Sequence, residues 1–167
     1  MQHTSLFRLH TVQLEFRQVL KAFMTKEFWQ EKTLEQMSPA EWESLCDGCG
    51  KCCMNKIEDE DTGELLFTNV ACELFDAKTC RCVSYKKRKR FVPDCQQLTP
   101  KKVRSLPWLP KTCAYRLVAE KKPLPKWHHL VSGSKETVHK AGVSMKHKSV
   151  SSKQIKDLED HVVDWLN

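Results

Sequence analysis

Eight consecutive positions, Cys46-Asp47-Gly48-Cys49-Gly50-Lys51-Cys52-Cys53, carry four thiols. A chain that crowds thiols in this way can cross-link them, bind metal with them or bury them. Nine cysteines are present in all, so complete disulfide pairing within the chain would leave one over and would call for an oxidising compartment. The N-terminal stretch lacks the uninterrupted apolar run and small-residue cleavage site of an export signal. Metal ligation in a reducing, cytoplasmic setting is therefore the expectation. Gly48 and Gly50 interrupt any helix at this point, which places the first cysteines in a loop whose backbone N–H groups can turn toward sulfur.

The spacing narrows the choice of metal. Three thiolates in a C-x2-C-x2-C run can converge on one iron–sulfur cube, with a fourth ligand from elsewhere, here Cys53 or a downstream cysteine. Structural zinc more often uses two separated C-x2-C knuckles, whereas Cys72, Cys80, Cys82, Cys95 and Cys113 stand singly or as C-x-C. The pattern leans toward iron–sulfur. Thiolates suit both metals, so zinc stays open as the alternative. A set of free buried thiols, or a metal-free redox pair, is the remaining reading; four thiols within eight positions weigh against it.

The rest of the chain sets the scale of the fold. With 167 residues, 40% hydrophobic and 29% charged, one domain with a modest core is expected, of the kind that metal helps to hold together. Leu9, Val12, Phe16, Val19, Leu20 and Phe23 recur at helical spacing, predicting an amphipathic N-terminal extension over residues 1–27 ahead of a cysteine-cluster domain over 28–167. Ser38-Pro39-Ala40-Glu41 is a capping-box helix start. Asp61-Thr62-Gly63 predicts a turn between two short strands within 56–68, and Thr99-Pro100 and Thr112 open short helices. Ile155, Leu158, Val162 and Trp165 predict a C-terminal helix from about Ser152. The expected fold class is mainly α with a small β-hairpin, an irregular, cysteine-rich, metal-stabilised single domain.

The net charge of +7 is concentrated at Lys86, Lys87, Arg88, Lys89 and Arg90 and at Lys101, Lys102 and Arg104. Without interleaved aromatics to stack bases, these runs read as solvated faces, and nucleic acid is not the expected partner. No stretch approaches 18 apolar residues, so no transmembrane segment is expected. His128 and His129 lack ligand spacing and are assigned packing or surface roles.

Beyond the cluster, the chain carries Phe28-Trp29, Trp42-Glu43, Thr68-Asn69-Val70-Ala71-Cys72, Thr79-Cys80-Arg81-Cys82, Pro93-Asp94-Cys95, Trp108-Leu109-Pro110, Thr112-Cys113-Ala114-Tyr115-Arg116 and Gly133-Ser134-Lys135. In these, from residue 28 onward, it resembles the YcgN branch of the bacterial YkgJ-type CxxCxxCC cysteine-cluster proteins, described as zinc- or iron-chelating. The resemblance implies a metal site of Cys46, Cys49, Cys52, Cys53, Cys72, Cys82 and Cys95, with Tyr85 and Arg88 completing a C-x2-Y-x2-R element that orients the loop or donates to sulfur. Cys80 and Cys113 belong to the branch rather than to that shared core. The proline that commonly follows the arginine is missing here, and the gap to Cys95 is longer. The resemblance implies metal binding and says little about activity; with the cluster spacing, the expectation is a metal-binding, iron–sulfur protein of unassigned activity, with redox chemistry or metal sensing as the reading that needs only the cluster. Two alternatives stand beside it. The same domain type is associated with flagellin lysine N-methylation, which implies a protein-modifying enzyme, although no nucleotide-binding glycine loop or C-x3-C-x2-C radical motif is present. The other alternative is a zinc-stabilised interaction module for an unidentified protein partner.

Overall fold

The computed structural model describes residues 27–166, and the amphipathic extension expected over residues 1–27 lies outside the described residues but for Glu27. Among these, the α-helices are α1 (Phe28–Glu31), α2 (Pro39–Ser44), α3 (Arg88–Phe91), α4 (Pro100–Val103), α5 (Ala114–Ala119), α6 (His129–Ser132) and α7 (Thr137–Lys140). The strands are β1 (Met54–Glu58), β2 (Leu65–Ala71), β3 (Phe75–Asp76), β4 (Arg81–Cys82) and β5 (Val150–Ser151), with 3-10 turns between several of the elements. The result is a small single domain of short helices and a few strands.

Local chemistry accounts for the starts and turns. At α2 the Ser38 hydroxyl accepts from the Glu41 N–H at 3.3 Å, the Glu41 carboxylate accepts from the Ser38 N–H at 2.8 Å, and Pro39 takes the first helical position. α4 begins with the Thr99 hydroxyl accepting from the Lys102 N–H, ahead of Pro100. The expected hairpin forms between β1 and β2, its turn organised by the Asp59 carboxylate, which accepts from the N–H groups of Asp61 and Thr62. The helix expected at Thr112 starts slightly later, at Ala114, with Cys113 as its N-cap residue.

β2 is the middle strand of a three-stranded sheet, with β1 antiparallel on one side and β5 parallel on the other. The β1–β2 register shifts between Met54 and Lys56, and the Asn55 carbonyl at this bulge accepts from the buried Thr68 hydroxyl at 2.8 Å. Bulges re-aim the side chains beside them, and Lys56 follows this one.

The C-terminal helix expected from Ser152 is not formed. The chain instead makes 3-10 turns at Ser152–Gln154 and Glu159–His161. Val162 bridges to Thr68 antiparallel, and the Val163 N–H donates to the Phe67 carbonyl at 2.7 Å. β-branched residues favour extended backbone, and the edge of β2 offers hydrogen bonds that outcompete an isolated short helix.

Two apolar clusters result. One gathers Leu34, Leu45, Val103, Leu109, Tyr115 and Leu117 with their neighbours on α4 and α5; the other gathers Met54, Ala71, Cys80, Met145 and Leu166. Leu45, fully buried in the first, and Met54, buried in the second, bracket residues 46–53. The cysteine loop is thus anchored at each end in a different core.

Candidate metal centre

The loop owes its path to two glycines in the left-handed region, Gly48 at φ 76° and Gly50 at φ 78°, a conformation that costs residues bearing a Cβ. At Gly50 a Cβ would also lie 2.6 Å from the Phe75 ring and 2.9 Å from Cys80 Sγ. The loop passes close against β3 and the turn after it. Its far side is tied by the Met145 N–H, which donates to the Cys49 carbonyl at 2.7 Å.

A cavity of about 1010 Å³ opens in front of this loop. Its lining includes all seven cysteines expected as ligands, Cys46, Cys49, Cys52, Cys53, Cys72, Cys82 and Cys95, and adds Cys113. None of the nine cysteines forms a disulfide. Each thiol reaches the cavity by its own route. Cys46, Cys49, Cys52 and Cys53 come from the loop, and Cys72 follows β2, where its N–H donates to the Cys53 carbonyl at 2.9 Å. Cys82 lies on β4, paired with Phe75, and Cys95 follows α3. Cys113 sits at the head of α5, whose Tyr115 hydroxyl donates to the Trp42 carbonyl of α2 at 3.0 Å.

Cys80 is different. It is 2% exposed and its Sγ donates to the Cys49 carbonyl at 3.3 Å, so it braces the loop from behind. It adopts φ 58°, a conformation uncommon for a residue with a Cβ. The distinction between Cys80 and Cys113 was not legible from spacing, because neither belongs to the shared core: Cys80 falls inside it, two residues before Cys82, and Cys113 lies beyond it.

The thiols differ in acidity according to their surroundings. Burial pushes Cys46 and Cys113 up to about 12, and it raises Cys49 strongly. Cys52 and Cys53 share a hydrogen bond, which brings Cys52 down to about 7 and pushes its partner up, with the Lys56 ammonium also favouring the Cys52 thiolate. Lys56 Nζ donates to the Met54 carbonyl at 2.7 Å and lies 4.7 Å from the centre of the Trp108 ring. A half-buried cation therefore stands beside the thiol pair, and burial lowers its own pKa.

Tyr85 and Arg88 line the same cavity. The Tyr85 hydroxyl donates to the Glu43 carboxylate at 3.0 Å, and the Arg88 guanidinium lies 4.1 Å from the centre of the Tyr85 ring while donating to the Tyr85 carbonyl. Together they tie the segment after β4 to α2. His128 and His129, given packing or surface roles from the sequence, lie behind the loop. His128 is fully buried and its Nε2 meets the Leu45 carbonyl at 3.1 Å.

The donor set fits a thiophilic metal: eight thiols face one space, and thiolates select zinc and iron–sulfur centres over hard cations. Among the described residues, no group of three or more His, Cys, Asp or Glu side chains is already drawn together tightly enough to hold an ion. The fit is therefore one of donor type and location.

Comparison with known proteins agrees with this chemistry. Residues 45–114 match the family described as "CxxCxxCC: Putative zinc- or iron-chelating domain". The chain is 60% identical over 139 residues to a UPF0260 protein of Rhizorhabdus wittichii, covering 83% of this chain and 95% of that protein. It is 68% identical over 123 residues to a UPF0260 protein of Mesorhizobium japonicum, covering 74% of this chain and 83% of that one. A third relative, from Sinorhizobium fredii, is 56% identical over 140 residues, 83% of this chain and 90% of the relative. No solved structure matches. Matching the CxxCxxCC family model at residues 45–114 and sharing most of its length with these bacterial relatives, the chain belongs to the UPF0260 family.

Proposed function

We propose that the cavity is a thiolate metal centre holding iron–sulfur, and that the chain is a metal-binding protein of the bacterial cytosol acting in redox chemistry or metal sensing. One observation carries the reading: eight of the nine cysteines line a single cavity, while the ninth is turned away onto a backbone carbonyl. The C-x2-C-x2-C run favours iron over zinc. When bound, an iron–sulfur cluster supplies electron-transfer chemistry; zinc would supply a cross-link. The chain's own residues do the rest. The thiolates of Cys46, Cys49, Cys52, Cys53, Cys72, Cys82 and Cys95 hold the metal, Lys56 offsets their negative charge, and Tyr85 and Arg88 position the 82–88 segment. The resemblance to the YcgN branch fits the same assignment.

The test is anaerobic purification from cells grown without added metal. Iron and acid-labile sulfide should co-purify in similar amounts with a broad visible absorption that bleaches on reduction, and Cys46→Ser, Cys49→Ser or Cys52→Ser should abolish that absorption. Zinc without sulfide or colour would replace the iron reading by the zinc-stabilised interaction module.

A protein-modifying enzyme is a second reading, favoured by the cavity's extent beyond the thiols, where Trp42, Trp108, Tyr115 and Leu34 form an apolar wall. Cavities of this size take organic ligands. Binding of S-adenosylmethionine to the metal-loaded protein would favour it, and a flat titration would remove it.

A further inference from the structure

We infer that the cavity thiols form two four-thiolate metal centres, Cys46, Cys49, Cys52 and Cys113 in one and Cys53, Cys72, Cys82 and Cys95 in the other, meeting at the Cys52–Cys53 pair. This rests on the reading of the cavity as a metal site and deepens it by assigning Cys113 a ligand role and by doubling the number of centres.

The backbone divides the thiols before any metal is considered. Cys53 and Cys72 are joined across the start of the β1–β2 ladder by the 2.9 Å hydrogen bond between their backbones. From Cys72 the chain turns directly into β3, the Phe75 N–H donating to the Cys72 carbonyl at 2.9 Å. Phase and pairing then return Cys82 beside Phe75, and the Val83 N–H donates to the Leu74 carbonyl. Cys82 is thus carried back beside Cys72. Cys95, which follows α3, lines the same cavity and completes this set.

The other set belongs to the first core. Cys46 follows α2 directly behind the buried Leu45, and Cys113 precedes the buried Ala114 and Tyr115 of the same core. The Tyr115–Trp42 hydrogen bond fastens α5 to α2, so Cys113 and Cys46 are delivered by two elements that are locked together. Cys49 and Cys52 lie in the same loop as Cys46 and line the cavity with it. Cys53, next in sequence to Cys52 and accepting at its carbonyl from the Cys72 N–H, stands at the junction.

The count is the reason to separate two centres. A single tetrahedral zinc or a single cube takes four thiolates, and one centre would leave four thiols of the same cavity without a metal partner. Cys80, the thiol outside the cavity, already has a backbone acceptor.

Metal per chain decides the matter. Native mass spectrometry and metal analysis of the full-length protein, purified anaerobically, should find two zinc ions per chain, or iron and sulfide for two cubes. Cys113→Ser and Cys95→Ser should each lose about half of the metal, whereas Cys80→Ser should retain all of it. Should a cysteine variant fail to fold, the wild-type count stands by itself as the test. One centre per chain, or a folded Cys113→Ser protein with undiminished metal, would overturn the inference and leave the single-centre reading intact. Protein isolated without metal, and unable to take up zinc or be reconstituted with iron and sulfide, would remove both.

Discussion

Gly50 shows how tightly single atoms control this site. Its φ of 78° suits glycine, and a methyl group added there would collide with the Phe75 ring and the Cys80 sulfur. Left-handed backbone alone costs a residue with a Cβ roughly 1–2 kcal/mol, and overpacking adds typically 1–3 kcal/mol. Gly63 provides the contrast, because its φ is 69° but nothing lies within 4 Å of the position a Cβ would take. Gly50→Ala should therefore destabilise the protein by at least about 2 kcal/mol and reduce metal loading, while Gly63→Ala should cost only the backbone contribution of about 1 kcal/mol. Urea unfolding of the two metal-loaded variants checks this; equal losses would show that the close approach at Gly50 is accommodated. The glycines themselves were legible as loop formers, but their neighbours were not, since Phe75 and Cys80 lie 25 and 30 residues from Gly50 in sequence.

At the scale of elements, α2 is held at both ends. Its capping box closes the N-terminus, and at the other end His128, stacked on His129 with the rings 4.6 Å apart, secures the backbone that leads into Cys46. His128 Nδ1 accepts from the Leu130 N–H, so Nε2 carries the proton donated to the Leu45 carbonyl. This arrangement requires neutral His128, and burial holds its pKa below the ordinary value of 6.5, with Asp47 opposing. Its other charged neighbour, His129, is also lowered by burial and by His128. An imidazole whose folded pKa is lowered leaves stability intact above the unfolded value. As pH falls below about 6.5 the unfolded chain takes up the proton first, so stability declines until the folded pKa is reached, by at most about 1.4 kcal/mol per pH unit for one such group. His128→Gln should be less stable at pH 7.5 and show a shallower decline toward pH 5.5 than wild type. Parallel pH curves would show that His128 does not carry the acid sensitivity. Comparing the two proteins subtracts the proton competition at thiolates that both share.

The same scale explains what the sequence could and could not reveal. Ser38, Glu41 and Pro39 act within one turn, and the Asp61-Thr62-Gly63 turn is equally local, so both were readable from the chain. The tail was not, because Val162 and Val163 acquire their extended conformation from Thr68 and Phe67, nearly a hundred residues earlier. Periodicity cannot report a partner. The grouping of seven cysteines on one cavity followed the family pattern, whereas Cys113 joins them through the Tyr115–Trp42 contact, a relation between distant helices.

For the whole molecule, the consequence lies in how the two cores are joined. Among the described residues, close packing between elements runs mainly within one region or the other: α4 with α5 and α5 with the Leu34–Gln36 turn on one side, β1, β2, β5 and the Glu159–His161 turn on the other. Residues 46–53 cross between them, and the cavity draws thiols from both, Cys46 and Cys113 from the first and Cys53 and Cys72 from the second. Metal bound there would staple the cores together. Because thiolate sites seldom preform without their ion, the free energy of binding is also free energy of folding. Chelation should therefore do more than lower the midpoint of unfolding: it should split one cooperative transition into separable steps. In hydrogen exchange, amides of residues 46–53 and of the 72–95 segment should lose protection first, while those of α5 and the centre of β2 retain part of theirs. Equal protection of every segment with and without metal would show that the cores are coupled by packing alone, and that the cysteine loop is rigid in its own right.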